Sequence, residues 1–136
     1  MNIIQHHKPI DFEALFKQMQ SAVVGLDGND IELFAIGADE IHSFFGSAKW
    51  KDRVKNALGT AIASDEAVTI ISRSNAFMLI IKHNPESKCP ATMNEMSAIN
   101  DFISELPEKS DIQWSLIQDA SLGERIEFIL LCNIRK

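Results

Sequence analysis

Two short apolar runs constrain the fold of this chain more than any other feature of its sequence. Residues 77–81 are apolar at every position, and residues 126–132 are interrupted only by Glu127. A continuous apolar run of this length is typical of a strand covered on both faces, so residues 76–82 are predicted to form a central strand. Elsewhere the apolar residues return at helical spacing, and a pattern that changes period in this way indicates an α+β domain.

Three segments carry the helical pattern, and they comprise residues 11–24, 47–63 and 92–106. Asp11 and Ser47 are the first residues of the first two segments. Each is placed to cap its helix, because a side-chain oxygen there can accept a hydrogen bond from a free backbone N–H group. The sequence therefore predicts three helices.

Polar and aromatic residues add detail to these helices. Thr92 and Glu95 have the spacing of a capping box at the start of the third helix. Trp50 and Trp114 are expected to anchor the core, since large aromatic side chains bury much apolar surface. A basic group in the second helix is expected to face solvent, and it comprises Lys49, Lys51, Arg53 and Lys55.

The remaining segments are predicted to be strands and loops. Residues 31–36 read as a short strand, residues 37–46 as irregular, and residues 67–71 as a strand or an extended link. Polar and apolar residues alternate around Trp114, which predicts a half-buried strand over residues 112–116. Residues 119–124 then form a hairpin-like loop leading to the last strand. We expect a sheet of about four strands with helices packed on it.

Composition excludes several classes of function. The 136 residues fit one domain, with residues 1–8 as an N-terminal tail and residues 9–136 as the folded part. The formal net charge is −6, and no basic stripe is present, which argues against nucleic acid as a partner. No apolar run is long enough to span a membrane and residues 1–8 have no signal-peptide core, so we expect a cytoplasmic protein.

The two cysteines and the first histidines are not expected to form sites. Cys89 is predicted to be a surface thiol and Cys132 a small buried residue, without a disulfide. His6 and His7 lie near Asp11, but adjacent histidines seldom converge on one ion without a further ligand. We therefore expect them to be solvated, with no metal bound.

Short motifs near the end of the chain carry a resemblance to a known family. Residues 119–126 read Asp-x-Ser-Leu-Gly-Glu-x-Ile, which resembles the penultimate loop of the FtsZ C-terminal domain. Residues 92–96 are similar to the family's Thr-Leu-x-Glu-Val, and residues 53–64 to its Ala-rich helix ending in Ser. Residues 31–37 resemble a short strand ending in Gly-x-Gly, of which Gly37 is kept. The chain thus resembles a free-standing C-terminal domain of an FtsZ-type (tubulin superfamily) subunit.

The start of the chain extends this resemblance. Residues 9–15 are similar to the family pattern Asn-x-Asp-Phe-Ala-Asp-Val, a loop that reaches into the nucleotide site of the next subunit and supplies polar groups for GTP hydrolysis. Asp11 and Phe12 match this pattern, whereas Pro9 and Ala14 replace the Asn and the second Asp. The resemblance implies a two-layer α/β sandwich, with a mixed four-stranded sheet carrying two helices on one face.

Nucleotide chemistry is not expected of this chain. Its six glycines include no GG or GxG pair, and no Gly-rich phosphate loop is present. Pro9 and Ala14 offer no polar side chain to position a water. We therefore expect no enzymatic activity, no catalytic residues and no cofactor.

The resemblance instead implies a protein that acts by contact. Its partners would be FtsZ, another cell-division component, or a second copy of itself. A homodimer or larger assembly is expected, because removing the nucleotide-binding half would expose the first helix and the sheet face beside it. The candidate contact residues are Pro9, Ile10, Asp11, Phe12, Asp119, Ser121, Leu122, Gly123 and Glu124.

Two other functions stay open from the sequence. One is an oligomeric small-molecule-binding protein or minor enzyme with a site at the subunit interface, in which Arg53 or His83 would converge on the ligand. The other is a structural oligomer in an unrelated cytoplasmic system. Binding to FtsZ would separate the first interpretation from both.

Overall fold

The central strand predicted from residues 76–82 lies inside a five-stranded mixed sheet. The computed structural model describes residues 2–7, 9–20, 28–50, 52–87 and 93–135. The strands follow the order β1-β2-β5-β3-β4 across the sheet. They are β1 (Ile3–Gln5), β2 (Glu40–Ala48), β3 (Ala76–His83), β4 (Asp111–Gln118) and β5 (Ile126–Ile134). The helices are α1 (Phe12–Gln20), α2 (Gly28–Ala35), α3 (Arg53–Ala61), α4 (Asp65–Arg73) and α5 (Met93–Glu105).

Pairing in the sheet is mixed. β3 runs antiparallel to β5 and parallel to β4, whereas β2 runs antiparallel to β5 and parallel to β1. The prediction of about four strands was one short, because Ile3–Gln5, within the segment expected to be a tail, pairs with β2. β3 and β5 are buried along nearly their whole length, as their apolar runs indicated.

Helices cover both faces of the sheet, so the fold has three layers rather than the expected two. Alternate residues of β3 enter two separate cores. Phe77, Leu79 and Ile81 pack with α3, α4 and α5. Met78 and Ile80 pack with α1 and α2. The first helix and the neighbouring sheet face, expected to be exposed, bury each other instead.

Four sequence assignments between α1 and β3 were wrong. Ser47, expected to cap the second helix, lies in β2, and α3 begins only at Arg53. Residues 31–36 lie in α2 and its end: Ile31 and Phe34, three residues apart, face the sheet, while Leu33 is 51% exposed. Residues 40–48, within and just after the segment expected to be irregular, form β2, where neighbouring strands bury even polar His42 and Ser43. Residues 67–71 belong to α4, which begins where the Ser64 hydroxyl accepts the N–H of Ala67 at 3.1 Å.

A glycine of β2 brings α3 close to the sheet. A Cβ built on Gly46 would overlap the carbonyl oxygen of Ala57. The backbones of β2 and α3 therefore meet at a distance that only glycine permits. Gly37, the glycine kept from the family pattern, has a φ of +70°, which favours glycine, although a Cβ there would make only ordinary contacts, the nearest at 3.7 Å from Arg135.

Both tryptophans lie at the surface rather than in the core. Trp50 is 79% exposed, because the chain turns there with a positive φ between β2 and α3. Trp114 is 37% exposed, because it lies on β4 at the end of the sheet. The expectation that these two residues anchor the core was wrong. For Trp114 the reason is that an apolar pattern does not reveal whether a strand lies at the edge of its sheet.

Cys132 is a buried free thiol on β5, as expected. Burial raises its pKa to about 12, so it carries no thiolate at neutral pH. Cys89 lies outside the described residues. Within the described part of the chain, no helix is both long and apolar enough to cross a membrane.

Candidate partner-contact site

The first candidate loop, residues 9–12, joins β1 to α1. Asp11 caps α1 as predicted: its Oδ1 accepts the N–H of Ala14 at 3.2 Å, and its carbonyl accepts the N–H of Leu15 at 3.0 Å. The Gln5 side chain fixes the loop from β1 by accepting the N–H of Ile10 at 2.8 Å. The loop is therefore held at both ends, and Pro9 remains exposed.

The second candidate loop, residues 119–124, is a closed turn with its own hydrogen bonds. Asp119 Oδ1 accepts from Ser121 twice, from the hydroxyl at 2.6 Å and from the backbone N–H at 3.0 Å. Leu122 is buried beneath the turn, and Gly123 has a φ of +62°, which favours glycine. Asn84 Nδ2 donates to the Gly123 carbonyl at 3.2 Å.

This second loop does not join a hairpin. β4 and β5 are not neighbours, because β3 lies between them. The loop therefore carries the chain past the end of β3, and the Asp119 N–H donates to the His83 carbonyl there at 2.8 Å. The hairpin-like connection expected from the sequence was wrong, since adjacency in sequence does not determine adjacency in a mixed sheet.

Lys82 joins the two loops at one end of the domain. Its ammonium lies 3.2 Å from Asp119 Oδ2 and 3.8 Å from Glu127 Oε1. Lys82 and Glu127 also line a shallow cavity of about 240 Å³ together with residues 9–11 of the first loop. Lys82 thus connects the second loop, through its ion pair with Asp119, to the cavity that the first loop lines.

Lys82 and Glu127 were not among the predicted contact residues, although the sequence carries a signal for them. Lys82 ends the apolar run of β3, and Glu127 is the one polar residue inside the run of β5. The ladder places them opposite each other. Opposite charges at the edges of two buried runs favour a cross-strand ion pair.

Behind the second loop lies a buried ion pair between α3 and α5. Arg53 Nε and Nη2 donate to the two carboxylate oxygens of Glu95 at 3.0 and 2.8 Å. Arg53 Nη1 donates to the backbone carbonyl of Glu124 at 3.1 Å. This bidentate geometry is the strong form of an Arg–carboxylate contact, and it ties the end of the loop to two helices.

Arg53 was expected to face solvent, and that expectation was wrong, since only 3% of the residue is exposed. Arg53 is four residues before Ala57, which is four before Ala61, so all three lie on the stripe that faces the sheet. The spacing was a usable signal. The other half of the predicted capping box, Thr92, lies outside the described residues.

A small-molecule site built on Arg53 has little support from this geometry, because internal acceptors already hold the guanidinium. The His83 ring nitrogens are buried, and neither has a hydrogen-bond partner among the described residues. Burial, and to a lesser degree the nearby Arg53 charge, lowers the pKa of His83. His83 is therefore a neutral imidazole at pH 7.

His6 packs against the sheet rather than facing water, whereas His7 is exposed, as expected. His6 Nε2 lies 2.7 Å from His42 Nδ1, and the His6 ring stacks on Phe44 with centroids 4.7 Å apart. The expectation that His6 is solvated was wrong, because β1 adds to the sheet and carries His6 onto it. Within the described ranges, no group of three His, Cys, Asp or Glu residues is arranged to hold a metal ion.

The second loop is expected to lose stability in acid. The hydrogen bond from the Ser121 hydroxyl lowers the pKa of Asp119 most, and the Ser121 N–H and Lys82 lower it further, against an opposing effect of burial. The folded state thus favours the ionised carboxylate. Its contribution is complete above the ordinary pKa of about 3.9 and is lost as the pH falls through the lower folded value.

Urea unfolding of the wild type and of Asp119→Asn tests this dependence. At pH 7 we expect the variant to be about 1 kcal/mol less stable, since it loses the charge opposite Lys82. The difference should be smaller at about pH 2.5, below the ordinary pKa of the carboxyl, because the folded-state pKa lies lower still. An equal difference at both pH values would show that Asp119 acts through the shape of the turn and not through its charge.

Comparison with known proteins places this geometry in a fold. No protein-family model matches the sequence, and no curated protein matches it. An FtsZ dimer from M. jannaschii, described as empty, is similar in structure with a TM-score of 0.67 and 16% sequence identity, over 82% of this chain and 32% of that chain. CetZ2 from Haloferax volcanii, in a GTPγS-bound protofilament, is similar with a TM-score of 0.56 and 10% identity, over 86% of this chain and 35% of that one.

These similarities establish the fold that the sequence motifs indicated. The chain has the fold of the C-terminal domain of FtsZ-type proteins, the part without the GTPase site. It spans about a third of the length of those chains, at 32% and 35%. The five strands fit within this fold, although four were expected.

Proposed function

We propose that this chain is a non-catalytic cytoplasmic protein with an FtsZ-C-terminal-like domain, which acts by protein–protein contact and modulates the assembly of cell-division filaments. The observation that carries the proposal is the meeting of the two candidate loops at Lys82. Structurally similar proteins include an FtsZ dimer and a CetZ2 protofilament, so proteins with this fold do assemble with copies of themselves. FtsZ, or another division protein, is the proposed partner.

The residues of the first loop favour contact without hydrolysis. Pro9 and Ala14 stand where the FtsZ pattern has polar residues, and Asp11 is engaged in capping α1. A water placed beside this loop would find few groups to orient it. We infer that the chain can occupy the end of a filament without activating the bound nucleotide.

The charge at this end suggests what the partner surface offers. The carboxylates of Asp11, Asp119 and Glu127 outnumber the ammonium of Lys82 around the cavity and the ion pair beside it. Such a surface favours a partner with basic groups, and association should weaken as salt rises.

Co-sedimentation with GTP-assembled FtsZ from the same organism tests the proposal. We expect the protein to pellet with the filaments or to reduce the FtsZ that pellets, with a matching change in phosphate release. If neither filament mass nor GTP turnover changes at micromolar excess, the proposed function is wrong.

Three arginine variants locate the contact. Pro9→Arg and Ala120→Arg place a bulky cation on an exposed residue of each loop, and we expect each to lower the co-sedimenting fraction several-fold. Val68→Arg is the matched control, because Val68 is 60% exposed on α4, away from both loops. If Val68→Arg lowers binding as much as the loop variants do, a different surface makes the contact.

A further inference from the structure

β4 is a long edge strand without the usual protection. It lies at the end of the sheet, and no described strand pairs with its outer side. Its register with β3 is regular over eight residues, Asp111–Gln118, so no bulge interrupts it. It contains no Lys, Pro or Gly. Soluble proteins normally blunt such an edge, because its free N–H and C=O groups form a template for another strand.

The hydrogen bonds at its two ends show which residues of β4 have outward-facing backbone groups. The Asp111 N–H donates to the Asn75 carbonyl at 3.1 Å, and the Asp119 N–H to the His83 carbonyl at 2.8 Å. Bonding alternates along a parallel ladder, so the odd-numbered residues bond to β3. The N–H and C=O groups of Ile112, Trp114 and Leu116 therefore face the open side.

The three residues whose backbone groups face the open side also have apolar side chains, and these form a row on one face of the sheet. Ile112 and Leu116 are partly buried against the core beneath α3 and α5, and Trp114 is 37% exposed. A second strand lying along this edge would cover that row while it completes the hydrogen bonds.

We propose that β4 pairs antiparallel with β4 of a second copy of this chain, about a two-fold axis at Trp114. In an antiparallel ladder, the side chains of two paired residues lie on the same face of the sheet. A residue whose backbone groups face the open side must also pair with another such residue. An axis at Trp114 satisfies both conditions. It sets Trp114 against itself and Ile112 against Leu116 of the second copy, and it forms about six backbone hydrogen bonds.

Charge repulsion disfavours the register whose two-fold axis lies at Ser115. An axis at Ser115 would also match outward residues, but it would set Asp111 against Asp119 of the second copy. Like charges directly opposite each other destabilise a sheet. The axis at Trp114 sets Asp111 against Ile117 instead. An axis at Gln113 would also match outward residues, but within β4 it would pair only residues 111–115. The axis at Trp114 pairs residues 111–117 without setting like charges opposite each other, which is the reason that a second copy fits this edge.

The dimer edge is separate from the two-loop end of the domain. Pairing through the β4 edge would be a mode of self-association in addition to any contact that the loops make with a filament. Neither contact depends on the other. Failure of the dimer would leave co-sedimentation unchanged, and failure of co-sedimentation would leave the dimer unchanged.

Sedimentation velocity over protein concentrations from about 1 to about 200 µM tests the pairing. We expect wild-type protein to shift from monomer to dimer. Trp114→Lys should weaken the dimer by about tenfold or more, because it sets two ammonium groups against each other. Trp50→Lys, at a tryptophan 79% exposed outside the edge, should dimerise like the wild type.

Residue-resolved amide exchange of the wild type adds a test that needs no variant. In the monomer, amide exchange at Ile112, Trp114 and Leu116 should be fast, and it should become slower as the dimer fraction rises. The amides of the odd-numbered residues of β4 should stay protected at every concentration. A monomer at every concentration overturns the proposal. So does a dimer that forms without slowing these amides, or one that Trp50→Lys weakens as much as Trp114→Lys.

Discussion

Replacing Arg53 with methionine is expected to lower the free energy of unfolding by about 3 kcal/mol. The substitution leaves the Glu95 carboxylate without its bidentate partner, at a site where the Glu95 side chain is only 16% exposed. It also removes the donor to the Glu124 carbonyl. A carboxylate that loses its bidentate partner in such a place costs far more than a lost surface contact. Urea unfolding at pH 7 measures the effect.

Two further variants isolate the ion pair from the packing of the side chain. Lys55→Met, on an exposed residue of the same helix, should change stability by less than about 0.5 kcal/mol. The double variant Arg53→Met with Glu95→Met should regain much of the loss, because a buried pair replaced by apolar groups is often nearly neutral. If the free energy of unfolding of Arg53→Met alone lies within about 0.5 kcal/mol of the wild type, water must compensate for the lost ion pair.

The loop beside the ion pair should respond as well. Arg53 Nη1 is one of the groups that hold residues 119–124, so amide exchange in that loop should quicken in Arg53→Met even under conditions where the domain stays folded. Co-sedimentation would then weaken if the loop makes the filament contact. A loop with unchanged exchange would mean that the internal Asp119–Ser121 bonds alone maintain it.

Replacing Gly46 with alanine is the second substitution with a large expected effect, a loss of about 3 kcal/mol or more. The added methyl would overlap the Ala57 carbonyl, which is backbone and cannot rotate away. The whole of α3 would have to move from β2, and with it Arg53 at its first turn. Thermal and urea unfolding measure the loss, and weak expression of folded protein would be its extreme form.

Gly59→Ala is the matched control for this substitution. Gly59 lies inside α3 itself, and a Cβ there would meet nothing within 4 Å. Alanine should therefore stabilise the helix by about 0.5–1 kcal/mol. The two Gly→Ala changes are then expected to have opposite signs. If Gly46→Ala were neutral, α3 would have to sit further from the sheet than the structure places it.

The sequence by itself determined the elements whose signal is local. β3 and β5 follow from runs that are apolar at nearly every position, and only a strand covered on both faces needs such a run. α1 and α5 follow from apolar residues at helical spacing, with Asp11 as the cap of α1 confirmed. The motif of residues 119–124 indicated the fold, because it depends on a turn with its own hydrogen bonds and a glycine with positive φ.

The tertiary structure decided everything that depends on a distant neighbour. Residues 31–36 are as apolar as a strand, yet residues 31–35 lie in a helix that packs Ile31, Phe34 and Ala35 against the sheet and leaves Leu33 exposed. His42 and Ser43 look like loop residues, yet strands on both sides bury them in β2.

The candidate site shows the same division. Residues 9–12 and 119–124 were each recognisable, but their meeting at Lys82 follows from the strand order, in which β3 lies between β4 and β5. The burial of Arg53 needed Glu95 from another helix, and the open edge at Trp114 needed the knowledge that no described strand lies beyond β4. Local spacing records how a segment folds on itself, whereas burial, pairing and edges are set by residues far away in sequence.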